Sequence, residues 1–528
     1  MDTSSLPRGR PLGAPGLAAS RRWGPGLRDL FAFLPLVFLL LPAPNPATAQ
    51  PAPLEGLDHY VEREMATWGV PGLALVVVRG DSVLYARGYG LTRVGEAEEV
   101  DIHTNFAIAS TSKAFTTAAL AMLVDEERLE WDDLVTRHLP GFAVEDPYVS
   151  RELTVRDLVT HRVGTARLDN LWIASPFNRE QILDRLRHLP QVESFRLRYG
   201  YNNLLYIAAG EVVGEVARST WDEFLDARIF GPLGMERSTS RTAAVEAGGN
   251  VAHSHTWVGG RVQAIPRRNY DAIGGAGAVW SNAHDLARWM RMHLNRGTLE
   301  GVRVLEEDRF QELQEPHTVI PLDTVAARLH PTNHFYAYAL GWRVQDLHGR
   351  KLVHHSGSIN YTRTQITLVP DEGIGIAIMA NLSSSNVQLA LTHWILDALQ
   401  GRQPADWSAL YFELYERSQE RSARAARELE AARLEGVGPS LPQEAYAGLY
   451  DDALFGQIGI AHEDGGLVLR YSPEYVADLE PWHQDQFRAN WRRPGAGRTF
   501  VRFTLDTRGR ITGAEVDGFG EFSRVEER

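Results

Sequence analysis

Apolar and polar positions follow three different periods along the chain. From Leu54 to Trp68 apolar residues recur at helical spacing, which predicts an amphipathic helix. Leu73–Val78 and Val83–Tyr89 are strand-like runs split by Gly80-Asp81, a pattern that predicts a β-hairpin. Ser110 to about Leu123, rich in Ala, Leu and Thr, reads as a buried helix. A long region of shorter helical patterns broken by Pro and Gly follows. Thr362–Val369 and Ile374–Ala380, joined by Pro370–Gly373, form a second hairpin, and Gln388–Leu399 returns to helix. Strands at both ends with helices between them predict an α+β domain over residues 50–405, whose sheet joins the two ends.

The texture then changes twice. Residues 406–440 are dominated by Glu, Arg and Ala. Opposite charges such as Glu416/Glu420 and Arg417/Arg421/Arg424 recur at helical spacing, which predicts a solvated helical linker stopped at Val437-Gly438-Pro439. Residues 441–528 carry short alternating runs: Tyr446–Tyr450, Gln457–Ala461, Leu467–Tyr471, Gln486–Trp491, Thr499–Leu505 and Ile511–Val516. Turns such as Asp464-Gly465-Gly466 separate them, so this segment is expected to be a small all-β barrel.

The first 49 residues have the layout of a secretory signal. Arg21, Arg22 and Arg28 precede an apolar run from Leu30 to Leu41, and Ala47-Thr48-Ala49 is a small-residue cleavage site. As a helix the apolar run would span about 18 Å, short of the ~30 Å hydrocarbon core, so a membrane attachment would come only from an uncleaved signal. The expectation is an extracytoplasmic mature chain, periplasmic or secreted, starting near Gln50.

Composition narrows the chemistry. The 528 residues carry a net charge of −13, which argues against a nucleic-acid partner. There is no cysteine, so disulfides, thiol nucleophiles and cysteine-held zinc are excluded. Of 54 cationic residues only Lys113 and Lys351 are lysines. A desolvated lysine can lose its proton near neutral pH and an arginine cannot. Lys113 lies three positions after Ser110, on the same face of a helix, where a base would activate the hydroxyl.

Two further clusters could join that pair. In Tyr201-Asn202-Asn203 a phenol could relay protons beside a lysine and an amide could hold the lysine or a substrate carbonyl. In His355-Ser356-Gly357, His355 could supply charge or a proton. Ser356 and Gly357 would bind substrate, the glycine letting its backbone approach.

The order Ser-x-x-Lys, Tyr-x-Asn, His-x-Gly, separated by about 90 and then 150 residues, resembles the serine β-lactamase and penicillin-binding-protein superfamily. The similarity is greatest to its class-C-like branch of β-lactamase-related hydrolases and D-stereospecific peptidases. It covers about residues 54–400. Leu153–His161, Phe230-Gly231-Pro232-Leu233-Gly234-Met235, Gly274-Gly275 with Ser281 and Asp285, and Val369-Pro370-Asp371 through Asn381 carry it further. The tail resembles the lipocalin-like domain that follows many of these hydrolases. The resemblance implies a β-lactamase/DD-peptidase-like fold, an antiparallel sheet flanked by helices with a helical subdomain.

It also implies roles. Ser110 would form an acyl-enzyme, Lys113 would be the general base and Tyr201 a proton shuttle. Asn203 would orient Lys113, and His355 would replace the usual lysine. The N–H groups of Ser110 and Ser358 would form the oxyanion hole. No metal or organic cofactor is implied, and the partner is a small-molecule or peptide substrate.

Two departures bear on substrate. The third motif is His-Ser-Gly where Lys-Thr-Gly grips a penicillin carboxylate. His161-Arg162-Val163-Gly164 stands where His-Thr-Ser-Gly is usual, placing a cation near the expected cleft. Cleavage of an amide or ester is expected. A genuine β-lactamase, and a catalytically weak envelope or ligand-binding protein, are the alternatives. No serine has glycine on both flanks as an α/β-hydrolase requires. His253 and His255 read as a solvated loop rather than metal ligands.

Overall fold

The computed structural model describes residues 54–173 and 175–526, so the segment expected to be a secretory signal lies outside the described residues. Helix α1 (Leu57–Trp68) and strands β1 (Gly72–Arg79) and β2 (Ser82–Gly90) match the first predicted helix and hairpin. The sheet is completed by β3 (Thr318–Val319), β4 (Tyr336–Tyr338), β5 (Arg343–Leu347), β6 (Arg350–Ile359), β7 (Thr362–Val369) and β8 (Ile374–Ala380). Its order is β2-β1-β8-β7-β6-β5-β4-β3, antiparallel throughout. Leu73 pairs with Ala380 and Arg79 with Ile374, so the sheet does join the two ends of the domain.

Between the hairpins lie α2 (Ser112–Asp125), α3 (Val155–Thr160), α4 (Leu204–Ala217) and α5 (Ala283–Leu294). After them come α6 (Val387–Leu399) and α7 (Trp407–Ala431). The central strands are apolar on both faces because both are covered. Ala74, Val76 and Val78 face one core with Ala377 and Met379. Leu73, Leu75 and Val77 face a second core with Ile376 and Ile378, beneath α1 and α6. Each of the Val, Leu, Ile and Met side chains among them contributes about 1.5–3 kcal/mol on burial. Helix α2 is buried from Ser112 to Leu123, and its Ala and Thr residues let neighbours approach from all sides.

The tail is a closed barrel of eight strands: β9 (Gly448–Asp452), β10 (Gly456–Glu463), β11 (Gly466–Ser472), β12 (Tyr475–His483), β13 (Gln486–Trp491), β14 (Arg498–Leu505), β15 (Ile511–Val516) and β16 (Gly520–Arg524). Six were legible as alternating runs. β12 was hidden by Pro481, which sits at a register shift between Pro481 and His483 where no ladder donor is needed. β16 is the short closing strand, pairing with β9 only through Tyr450–Arg524 and Asp451–Ser523.

Helix α7 is exposed over most of its length, as its charge pattern predicts, but its ends are not free. Trp407, Ser408 and Tyr411 are buried, with Trp68 Nε1 donating to Ser408 Oγ at 2.9 Å and Trp407 Nε1 to Asp397 Oδ2 at 2.6 Å. At the far end Arg488 Nη1 reaches Glu430 Oε2 at 2.7 Å.

Candidate active site

Ser110 lies in a 3-10 turn, Ala109–Thr111, that feeds α2; the helix itself starts at Ser112. Ala109 has φ 53, a left-handed conformation that side chains rarely adopt. The turn is pressed between β6 and the segment around Val279, whose carbonyl accepts Ile108 N at 3.0 Å. A Cβ on Gly357 would fall 2.1 Å from Ile108 O. That glycine therefore admits the chain's own backbone beside the serine, a different demand from the substrate approach read from the sequence.

Lys113 is wholly buried. Its Nζ donates to Asn203 Oδ1 at 2.7 Å and to Ala276 O at 2.7 Å. It lies 4.9 Å from the Tyr201 ring centre and 5.1 Å from that of Tyr206. Burial pushes its pKa well below the lysine range; Asp169 opposes this, while Arg167 and Arg343 add to it. A neutral amine has two N–H groups, and both are used by these acceptors, which leaves its lone pair uncommitted.

The two asparagines divide the work. Asn202 Oδ1 caps α4 by accepting Leu204 N at 2.8 Å, and Asn203 makes no cap bond. Asn203 instead donates from Nδ2 to Asp169 Oδ1 at 2.8 Å, which turns its oxygen toward Lys113. Asp169 also accepts Trp172 Nε1 at 3.0 Å and pairs with Arg167 Nε at 2.7 Å. Asp169 was not foreseen; it opens a short 3-10 turn, Asp169–Leu171, with no motif around it.

Burial holds the Tyr201 phenol protonated, well above the usual tyrosine range, with Ser110 opposing the shift. Its ring is 4.2 Å from that of His161, which is buried and accepts Asn202 N at Nδ1 over 3.2 Å.

His355 is also buried. Nδ1 donates to Ser356 O at 2.7 Å, a partner that fixes the tautomer, and Nε2 accepts Tyr338 Oη at 3.1 Å. Burial holds the imidazole neutral, with Arg343 and Lys113 acting in the same direction. The positive charge considered for His355 is therefore carried nearby by Arg343, whose Nη1 donates to Ser356 Oγ at 3.3 Å. Arg343 has no carboxylate partner among the described residues and its Nε is unpartnered and buried.

The expected cleft cation Arg162 is elsewhere: its Nε donates to Asp157 Oδ1 at 2.8 Å, beside Arg196. His255 is no solvated loop residue either. It is buried and accepts Val94 N at 3.0 Å through Nε2. Among the described residues no cluster of three or more His, Asp or Glu is arranged to hold a metal.

Ser110, Asn203 and Ser358 line one cavity of about 360 Å³, together with Arg167, Asp169 and Trp172. The barrel supplies part of its wall through Tyr475, Arg493 and Ala496. The turn carrying Arg493 is pressed onto the hydrolase domain: a Cβ on Gly495 would lie 2.0 Å from Tyr361 Oη.

A family model described as Beta-lactamase matches residues 57–400, and one described as a domain of unknown function, DUF3471, matches 432–527. The unguisins hydrolase ungD' of Aspergillus campestris is 27% identical over 427 residues, spanning 77% of this chain and 77% of its own. The octameric penicillin-binding protein homologue from Pyrococcus abyssi superposes with a TM-score of 0.60 at 20% identity, over 88% of this chain and 99% of that one. The D-amino acid amidase from Ochrobactrum anthropi SV3 superposes with a TM-score of 0.53 at 19% identity, over 65% of this chain and 98% of its own.

Proposed function

The chain belongs to the Beta-lactamase family of serine hydrolases, and on that premise we propose that Ser110 cleaves an amide bond of a small peptide through an acyl-enzyme. The observation that carries this reading is the amine of Lys113, buried, held by two acceptors and depressed in pKa, three residues beyond the serine. The proton of Ser110 Oγ passes to Lys113 Nζ as Oγ bonds to the carbonyl carbon. The tetrahedral oxyanion is held by N–H groups of Ser110 and Ser358, a contribution of about 2.7–4 kcal/mol per donor. The proton then travels through the Tyr201 phenol to the leaving nitrogen as the C–N bond breaks. Water, deprotonated by the same pair, releases the acyl group and restores Ser110. His355, neutral and fixed on Tyr338, orients the site rather than charging it.

The relative named as an unguisins hydrolase supports hydrolysis, and the fold shared with a D-amino acid amidase favours an amide over an ester. The test is labelling by a fluorophosphonate, which should vanish in Ser110→Ala. A screen of D-aminoacyl amides, esters and a chromogenic cephalosporin should follow; turnover of the cephalosporin alone would make this a β-lactamase and sink the peptide reading. The same reading includes export, tested by the N-terminus of the mature chain, expected near Gln50.

A further inference from the structure

The seam between hydrolase domain and barrel carries more cations than it needs. Arg268 and Arg493 both line the cavity that holds Ser110. Their shared carboxylate is Glu474, 3.2 Å from Arg268 Nε and 3.5 Å from Arg493 Nη1. Glu474 is 58% exposed, so water screens both pairs. It lines the two cavities flanking the catalytic one but not the catalytic cavity itself. Arg268 Nε points off the line to Glu474, and it and Nη2 are buried donors without a hydrogen-bond partner among the described residues. Arg493 Nη2 is held by Asn360 Oδ1. The remaining cation of the cavity wall, Arg167, is already neutralised by Asp169 at 2.7 Å. Two guanidiniums thus face the catalytic cavity with one carboxylate behind them, and a buried donor left unmade is costly.

We infer that Arg268 and Arg493 form a subsite for an anionic group, a carboxylate remote from the scissile bond, so that the barrel selects acidic substrates. The inference rests on the proposed Ser110 chemistry and names the substrate class. A guanidinium pair suits a carboxylate because its planar donors can meet both oxygens. Glu474 holds the pair in place when the site is empty and competes with the ligand.

Two fluorophosphonates test this, identical except that one ends in a carboxylate and the other in the neutral amide of that acid, with tail length varied. The readout is the ratio of their labelling rates on the full chain, which general damage to the site leaves unchanged. The acidic tail should react about tenfold faster in the native protein, the effect of one charge-assisted hydrogen bond. Arg268→Gln and Arg493→Gln should each bring the ratio toward one, and Arg493→Lys should keep part of it. Glu474→Gln should raise it. If Arg493 merely ties the barrel to Glu474, then Glu474→Gln and Arg493→Gln will act alike and the subsite is refuted. A native ratio of one, or a ratio that survives both arginine variants, refutes it as well. Labelling by neither compound would overturn the Ser110 reading itself, and the subsite with it.

Discussion

Lys113 Nζ and Asn203 Oδ1 stand 2.7 Å apart, and the nitrogen of the same amide is spent on Asp169 at 2.8 Å. The amide therefore cannot flip without placing its NH2 against the amine and its oxygen against a carboxylate. The Asp169 carboxylate thus fixes which end of Asn203 the lysine sees, and the lysine's donors are spent on Asn203 and Ala276.

Replacing Lys113 by Arg keeps a long hydrogen-bond donor but puts a permanent cation where the proton acceptor stood. Turnover should fall by about 10²- to 10⁴-fold, the usual contribution of a positioned base. Near-normal kcat in purified Lys113→Arg would remove lysine from the reaction.

Lys113 also bears on stability. Its native pKa is lowered, so over the window between that value and the ordinary lysine range near 10.4 the unfolded chain binds the extra proton and stability rises with pH. Lys113→Met removes this group. Chemical denaturation should show native stability rising more steeply than the variant's between neutral pH and about 10.4; parallel pH profiles would mean that the Lys113 pKa is not lowered.

The acid limb of kcat/KM should move in opposite directions in two variants. Arg343 lowers the Lys113 pKa and Asp169 raises it. Arg343→Gln should shift the limb to higher pH and Asp169→Asn to lower pH. Shifts of the same sign would assign the limb to another group.

Gly357→Ala sets a methyl against Ile108 O, which is backbone and cannot swing away. A loss of about 1–3 kcal/mol is expected from overpacking, read as a lower denaturation midpoint. Because the displaced turn carries Ser110, activity in the folded fraction should fall as well. A fully active, equally stable variant would mean the strand and turn are not in contact.

Arg162→Gln should leave kcat/KM within about twofold, since Arg162 is tied to Asp157 and does not line the cavity. A large loss confined to kcat would return that cation to the cleft.

The hairpins, α2 and six of the eight barrel strands were legible because their periodicity is local. Ser110, Lys113, Tyr201 and Asn203 were legible because their spacing is that of a known constellation. Asp169 and Arg343 were not, since each acts through a neighbour distant in sequence and belongs to no pattern. His355 was found, but its charge state depends on burial and on Tyr338, which no local reading reports. The cation expected at Arg162 failed for the same reason: its partner Asp157 decides where it points.

The 25-residue helix Trp407–Ala431 is anchored at both ends. At about 1.5 Å per residue it spans about 37 Å, and each added residue turns one end by about 100° relative to the other. A single insertion in its solvent-facing middle would set the helix against the seam: either the anchors give way, or the turn bearing Arg493 leaves the cavity wall. Most side chains along this rod are free to vary, whereas its count of residues is not. What the segment transmits is phase, as an axle does.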